Sequence, residues 1–169
     1  MEPGLHVTVS YDPPPMTYSN STHLCVVVVD RQTGMLRIER YLAAHDSGTV
    51  INPVIVEGQL HGSIAMGLSG ALFEELVYDE QGQFLSGSLA DYLMATATEL
   101  PPFELIEHAT PDQLTPLGIK GMAEGGVMGA IGAVCNATAD ALAPLGVVLD
   151  SQPLSPARLL PLIAAHRRR

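Results

Sequence analysis

The sequence predicts an α+β fold in which β-hairpins alternate with glycine-rich helices, and three patterns carry that expectation. A β-branched run, LCVVVVD at 24–30, passes through the turn RQTG into a second strand-like stretch, MLRIERYLAAHD at 35–46. Apolar residues recur every fourth position at Val56, Leu60, Ile64, Leu68 and Leu72, the repeat of a helix face. Ile131, Val134, Cys135, Thr138 and Leu142 fall at i, i+3, i+4, i+7 and i+11, one face of a second helix.

Along the chain, residues 1–17 read as an extended arm, stiffened by DPPP at 12–15 because proline fixes φ and has no N–H to donate. The hairpin follows. INP at 51–53 ends its second strand and opens a helix expected over 54–76. LVYDEQGQFLSGS at 76–88 reads as a second hairpin turning at DEQG, and the proline-containing stretch 100–117 as irregular. The main domain is expected over 18–163, and 164–169, ending in HRRR, as a basic tail.

With 169 residues, 47% hydrophobic and 15% charged, the chain has the size and composition of one folded domain. Its net charge of −10, with only the terminal HRRR clustered as basic, argues against a nucleic-acid partner. Cys25 and Cys135 lie in apolar stretches without a CxxC spacing, so both are expected as small buried hydrophobes in a reducing compartment. No 18-residue apolar run and no signal-peptide order are read from the sequence, which leads to the expectation of a cytoplasmic protein without a membrane span.

The segment GIKGMAEGGVMGAIGA at 118–133 places one carboxylate, Glu124, among glycines and small residues just before a helix. Two roles are open to it. A carboxylate at a helix start can satisfy free N–H groups and complement the dipole. An ionised acid beside a space kept open by small residues can instead serve as a general base. The order G-x-x-x-x-G-K-[ST] of a phosphate-binding loop is absent, because Lys120 precedes Gly121 and no Ser or Thr follows.

In the first helix Gly58, Gly62, Gly67 and Gly70 each cost about 1 kcal/mol relative to Ala. Either another backbone packs closely there, or a bulky ligand approaches and Gln59 offers it an amide. Glu57 and His61, one turn apart, could share a metal but lack a third ligand at useful spacing. His45 and Asp46 read as an acid/base pair or as a turn-capping Asp beside a solvated His. Ser47, Ser63 and Ser69 lack the G-x-S-x-G setting of a hydrolase nucleophile.

Four blocks in order, YSNSTHLCVVVVD, DSGTVINPVIVEGQLHGSIAMGLSGALFEE, GSLADYLMATATELPPFE and PLGIKGMAEGGVMGAIGAVCNATADAL, resemble the C-terminal part of the molybdenum-binding large subunit of the xanthine oxidase family. That family includes xanthine dehydrogenases, aldehyde oxidoreductases, aerobic carbon monoxide dehydrogenases and hydroxylases of N-heterocycles. The resemblance runs from about residue 18 to residue 142. It places the family's K-G-x-G-E loop on Lys120, Gly121, Met122, Ala123 and Glu124. Glu124 is then expected as the catalytic base beside molybdenum, with Lys120 and the 121–123 backbone against the pterin cofactor. Gln59, in VEGQ, is expected to hydrogen-bond that cofactor. Ala123 stands where a Gly is usual and Met66 where relatives carry a Gln.

The resemblance implies hydroxylation of an electron-poor carbon with water as the oxygen source. It also implies a molybdopterin cofactor, free or as its cytosine dinucleotide, with FAD and 2Fe–2S clusters on partner subunits, since this chain has no cysteine set for a cluster. A chain of this length is expected as a separate piece that works only with the remaining molybdenum subunit, an FAD subunit and an iron–sulfur subunit. The rival expectation is a non-catalytic assembly protein of the same fold.

Overall fold

The structure is a computed structural model and describes residues 4–14 and 16–166. Strand β1 (Asn20–Val29) pairs antiparallel with β2 (Leu36–Asp46), as the hairpin pattern predicts, and begins four residues earlier than the β-branched run. Asp30 closes the turn: its Oδ1 accepts from the amides of Gln32 and Thr33, and Gly34 takes φ +73°, a conformation that glycine adopts without strain. A register shift between Val26 and Val27 sets Val26 opposite Arg40 and Val27 opposite Ile38.

Helix α1 runs Pro53–Leu72, shorter than the expected 54–76, because Phe73 leaves helical geometry at φ −129°. Asn52 caps it, accepting from the amides of Val54 and Ile55, with Pro53 at the first turn where a missing N–H costs nothing. The predicted stripe is buried at Leu60, Ile64, Leu68 and Leu72.

The expected second hairpin contracts to a single bridge, Tyr78 with Phe84, around a turn at Gly82. The stretch expected to be irregular contains β3 (Phe103–Glu107), which adds parallel to β2 and completes a sheet of order β1-β2-β3. A parallel neighbour requires a long crossover, and α1 with the segment after it supplies one.

Helix α2 (Gly125–Leu142) starts inside the glycine-rich segment and packs on β1 and on α1. Its buried face is Gly126, Ala130, Val134, Thr138 and Leu142, and the buried Thr138 hydroxyl is satisfied by donating to the Val134 carbonyl. Residues Gly125–Leu145 are long and apolar enough to cross a membrane by length and composition alone, a test that a packed core helix also passes. In the fold their buried face contributes to the core.

A further helix, α3 (Pro156–His166), was not expected and carries Pro161 in its interior. Its Leu159 and Ile163 join Tyr41, Ala43, Ile64, Leu68, Ala130 and Val134 in one core. The arm lies without secondary structure over 6–14, with Leu5, Val7, Val9 and Tyr11 exposed. Of the expected basic tail, 167–169 fall outside the described residues.

Candidate functional site

The start of β1, the segment 121–125 and the first turn of α2 enclose a cleft of about 610 Å³. Ser19, Asn20 and Ser21 line one side, and the Gly121–Gly125 segment with Met128 and Gly129 lines the other. The wall is mostly backbone. Ideal Cβ atoms placed on Gly121 or Gly125 would meet nothing within 4 Å, so a flat group can approach the main chain directly. A larger apolar cavity of about 660 Å³, near the hairpin turn and Phe73, contains none of the predicted site residues.

Glu124 is exposed in the wall of this cleft and occupies the N-cap position of α2 with φ −122° and ψ 5°. Its side chain accepts no capping hydrogen bond, so it leaves the free N–H groups of the helix start unsatisfied. The carboxylate stands at the N-terminal end of α2.

The backbone on either side of Glu124 is held from two elements, α1 and β1. Gln59, on α1, donates its Nε2 to the Ala123 carbonyl at 3.3 Å. The Gly125 carbonyl accepts from Ser21 Oγ at 2.9 Å and from His23 Nε2 at 3.3 Å. A carbonyl only accepts, so Nε2 of His23 carries the proton, and in the neutral ring Nδ1 accepts from the Tyr41 hydroxyl at 2.6 Å. Burial lowers the His23 pKa, although the bond to Gly125 opposes that shift. Burial also pushes the Tyr41 phenol well above its ordinary value.

Glycines make this approach possible. A Cβ on Gly126 would run into Ser63 Oγ and the α1 backbone, one on Gly129 would run into the His23 ring, and one on Gly67 would sit 2.7 Å from Ala130 Cβ. Close helix packing is therefore the reason for Gly67, whereas Gly58, Gly62 and Gly70 face open space.

Lys120 turns the other way. Its Nζ lies 2.7 Å from Asp46 Oδ2 and 2.7 Å from Thr110 Oγ1, and the Lys120 and Asp46 side chains are each only 9% exposed. Asp46 also accepts from the Gly48 and Thr110 amides and from the Thr110 hydroxyl. Burial alone would raise the Asp46 pKa, but Lys120, Thr110 and Gly48 together outweigh it and hold the carboxyl well below the usual carboxylate range.

The remaining candidates do not form sites. Asp46 caps its turn as one sequence reading had it, but His45 is buried rather than solvated, and its two ring nitrogens, like Ser47 Oγ, are without hydrogen-bond partners. No His45–Asp46 pair forms. His61 Nε2 is 3.8 Å from Glu57 Oε1 and its ring lies against Phe103, and no group of three potential metal ligands occurs among the described residues. Cys25 and Cys135 are half-buried rather than buried, and burial pushes the Cys25 thiol up to about 11. Met66 is exposed on α1. Sequence reasoning missed Ser21, His23, Tyr41 and Thr110. Only the glycine at 129, a helix position with no local need for glycine, hinted that something bulky lies against α2.

A cleft walled by backbone, with one free carboxylate at a helix start, defines a cofactor-binding domain rather than a self-contained hydrolase. Residues 1–101 match the family model of the molybdopterin cofactor-binding domain, and the chain belongs to that family. It is 40% identical over 159 residues to the nicotine 6-hydroxylase large subunit of Paenarthrobacter nicotinovorans, covering 94% of this chain and 20% of that protein. It is 39% identical over 166 residues to the carbon monoxide dehydrogenase large chain of Hydrogenophaga pseudoflava, covering 98% and 21%. Among solved structures, reconstituted CO dehydrogenase from Oligotropha carboxidovorans superposes with a TM-score of 0.89 at 36% identity, covering 94% of this chain and 20% of that one. The relatives are large subunits of molybdenum oxidoreductases, and the chain spans about one fifth of their length.

Proposed function

We propose that this chain is the part of a molybdenum hydroxylase that supplies the active-site base, Glu124, and one wall of the cofactor site. The substrate is an N-heterocycle, an aldehyde or a similar electron-poor carbon, and water provides the oxygen. The single observation that carries this reading is Glu124 itself: an exposed carboxylate, without a capping bond, in the bare wall of a 610 Å³ cleft. The residues fit the cofactor. The 121–125 backbone leaves room for a flat pterin, and its amides, together with the start of α2, offer donors to it.

When bound, the molybdenum–pterin group supplies a two-electron centre and activates water as the oxygen source. This chain's residues do the rest of what can be assigned to it. Glu124 accepts the proton from the attacking oxygen, its carboxylate standing exposed at the start of α2. Gln59 fixes the Ala123 carbonyl through its Nε2 and with it the wall against the pterin, and it is the amide this reading assigns to the cofactor. Ser21 and His23 fix the backbone on the other side of Glu124.

The working form in this reading is a heteromer, a proposal supported by relatives whose names describe a large subunit and a large chain. Its partners are the remaining molybdenum polypeptide, an FAD subunit and an iron–sulfur subunit, in the cytoplasm, with molybdopterin as such or as its cytosine dinucleotide. The test is native purification followed by metal and flavin analysis. Co-purifying polypeptides with molybdenum, iron and flavin support the reading, whereas a stable, colourless, isolated monomer contradicts it. A complex that contains molybdenum but keeps full turnover without Glu124 would favour the assembly-protein reading.

A further inference from the structure

We infer that Lys120 is a positioning residue for Glu124 and not a cofactor ligand: the buried Asp46–Lys120 pair, joined by Thr110 at the surface, anchors the segment that carries the base. The inference rests on the proposed role of Glu124. Lys120 Nζ donates to Asp46 Oδ2 and to Thr110 Oγ1, both at 2.7 Å, and at 9% exposure its ammonium is turned into the fold. It does not line the cleft.

The backbone around it is tied to the same place. The Lys120 amide donates to the Ser47 carbonyl at 2.9 Å, the Thr49 amide donates to the Gly118 carbonyl at 2.9 Å, and Gly48 bridges Ile119. Gly48, at φ +67°, has no room for a Cβ because the Gly118 carbonyl lies against it. The end of β2 and residues 118–120 are thus one unit, joined by hydrogen bonds and a buried ion pair.

From that unit the chain reaches Glu124 across Gly121, Met122 and Ala123, the stretch that forms the bare wall. Gly121 has no side chain and Ala123 is exposed, so of the three only the partly buried Met122 has a long side chain to fix the path. Their geometry is set at the ends: at Lys120 by the cluster, and at Ala123 and Gly125 by Gln59, Ser21 and His23. A general base displaced by about 1 Å can lose on the order of a hundredfold in rate, so an anchor four residues away is coupled to chemistry without touching it.

The test uses the assembled enzyme with Lys120→Met, Asp46→Asn, the double variant and Lys120→Arg. Four readouts are taken: molybdenum and pterin content, kcat, KM, and amide hydrogen exchange over 119–125. Removing one partner strands a buried charge, whereas removing both does not, so the double variant guards against simple failure to fold. Positioning predicts full cofactor content in every variant, kcat lowered about tenfold or more with KM within about threefold, and faster exchange over 119–125. It also predicts a double variant no slower than the worse single one, and partial recovery with Arg. Loss of pterin in Lys120→Met but not in Asp46→Asn overturns it in favour of a cofactor ligand. Unchanged exchange over 119–125, or single effects that multiply, overturns it as well. If Glu124→Gln keeps turnover, the base assignment fails instead, and exchange with cofactor content still decides whether the cluster is the anchor.

Discussion

His23 Nε2, on β1, donates to the Gly125 carbonyl at 3.3 Å, joining the first strand to the residue after Glu124. The ring is held at its other nitrogen by Tyr41 and fills the space that a side chain on Gly129 would need. Gly129→Ala must therefore displace a ring with no free direction to move, and a loss of roughly 1–3 kcal/mol in unfolding free energy is expected. Gly132→Ala, where a Cβ meets nothing within 4 Å, is the matched control and should be neutral or stabilising by up to about 1 kcal/mol. Denaturant midpoints of the two variants check this. Equal effects would remove His23 as the obstacle.

Two groups give the stability a predictable pH dependence. His23 has a lowered pKa in the fold, so below about 6.5 the unfolded chain binds a proton that the folded chain refuses, and stability falls as the pH drops through that range. Asp46 has a depressed pKa, so its contribution is present above the unfolded carboxylate value of about 4 and is lost as the pH falls below it. Asp46→Asn should flatten the lower part of the curve and leave the upper part in place. Chemical denaturation at a series of pH values provides the slopes; an unchanged acid limb in Asp46→Asn would remove that residue as its source.

The cysteines should be slow to react. Burial raises the Cys25 thiol to about 11 and also raises Cys135, so neither holds much thiolate at neutral pH. Iodoacetamide at pH 7.5 should label both only as fast as the chain opens, and readily in denaturant. Rapid labelling of the native chain at Cys25 would contradict the packing of β1 described above.

What the sequence showed of the fold was its local part. The hairpin carries its own turn residues, and the stripes of α1 and α2 repeat with the helix, so their patterns can be read within short windows. Strand β3 could not be read that way: it has five residues, sits among prolines, and gains its ladder only from β2, 62 positions away at the pair Tyr41–Phe103. Pro156 and Pro161 concealed α3, which exists because Leu159 and Ile163 have a core to enter. The start of α2 directly after Glu124 agrees with the sequence reading, although it contains Gly126 and Gly129, poor helix formers placed there for close approach.

The site divides the same way. Glu124 stood out because its surroundings lack side chains, a property visible in sequence. The anchors did not, since Ser21 and His23 meet Gly125 across more than a hundred residues, and Asp46 meets Lys120 across 74. Lys120 looked like a residue of the loop, and only its partners show that its side chain belongs to the interior.

The central claim is that Glu124 is the base. Its most direct test is single-turnover reduction of the molybdenum centre by substrate in the assembled enzyme, comparing wild type with Glu124→Gln at matched molybdenum content. Removal of a general base is expected to slow that step by about 10²–10⁴-fold with cofactor retained. A reduction rate within a few-fold of wild type would contradict the account.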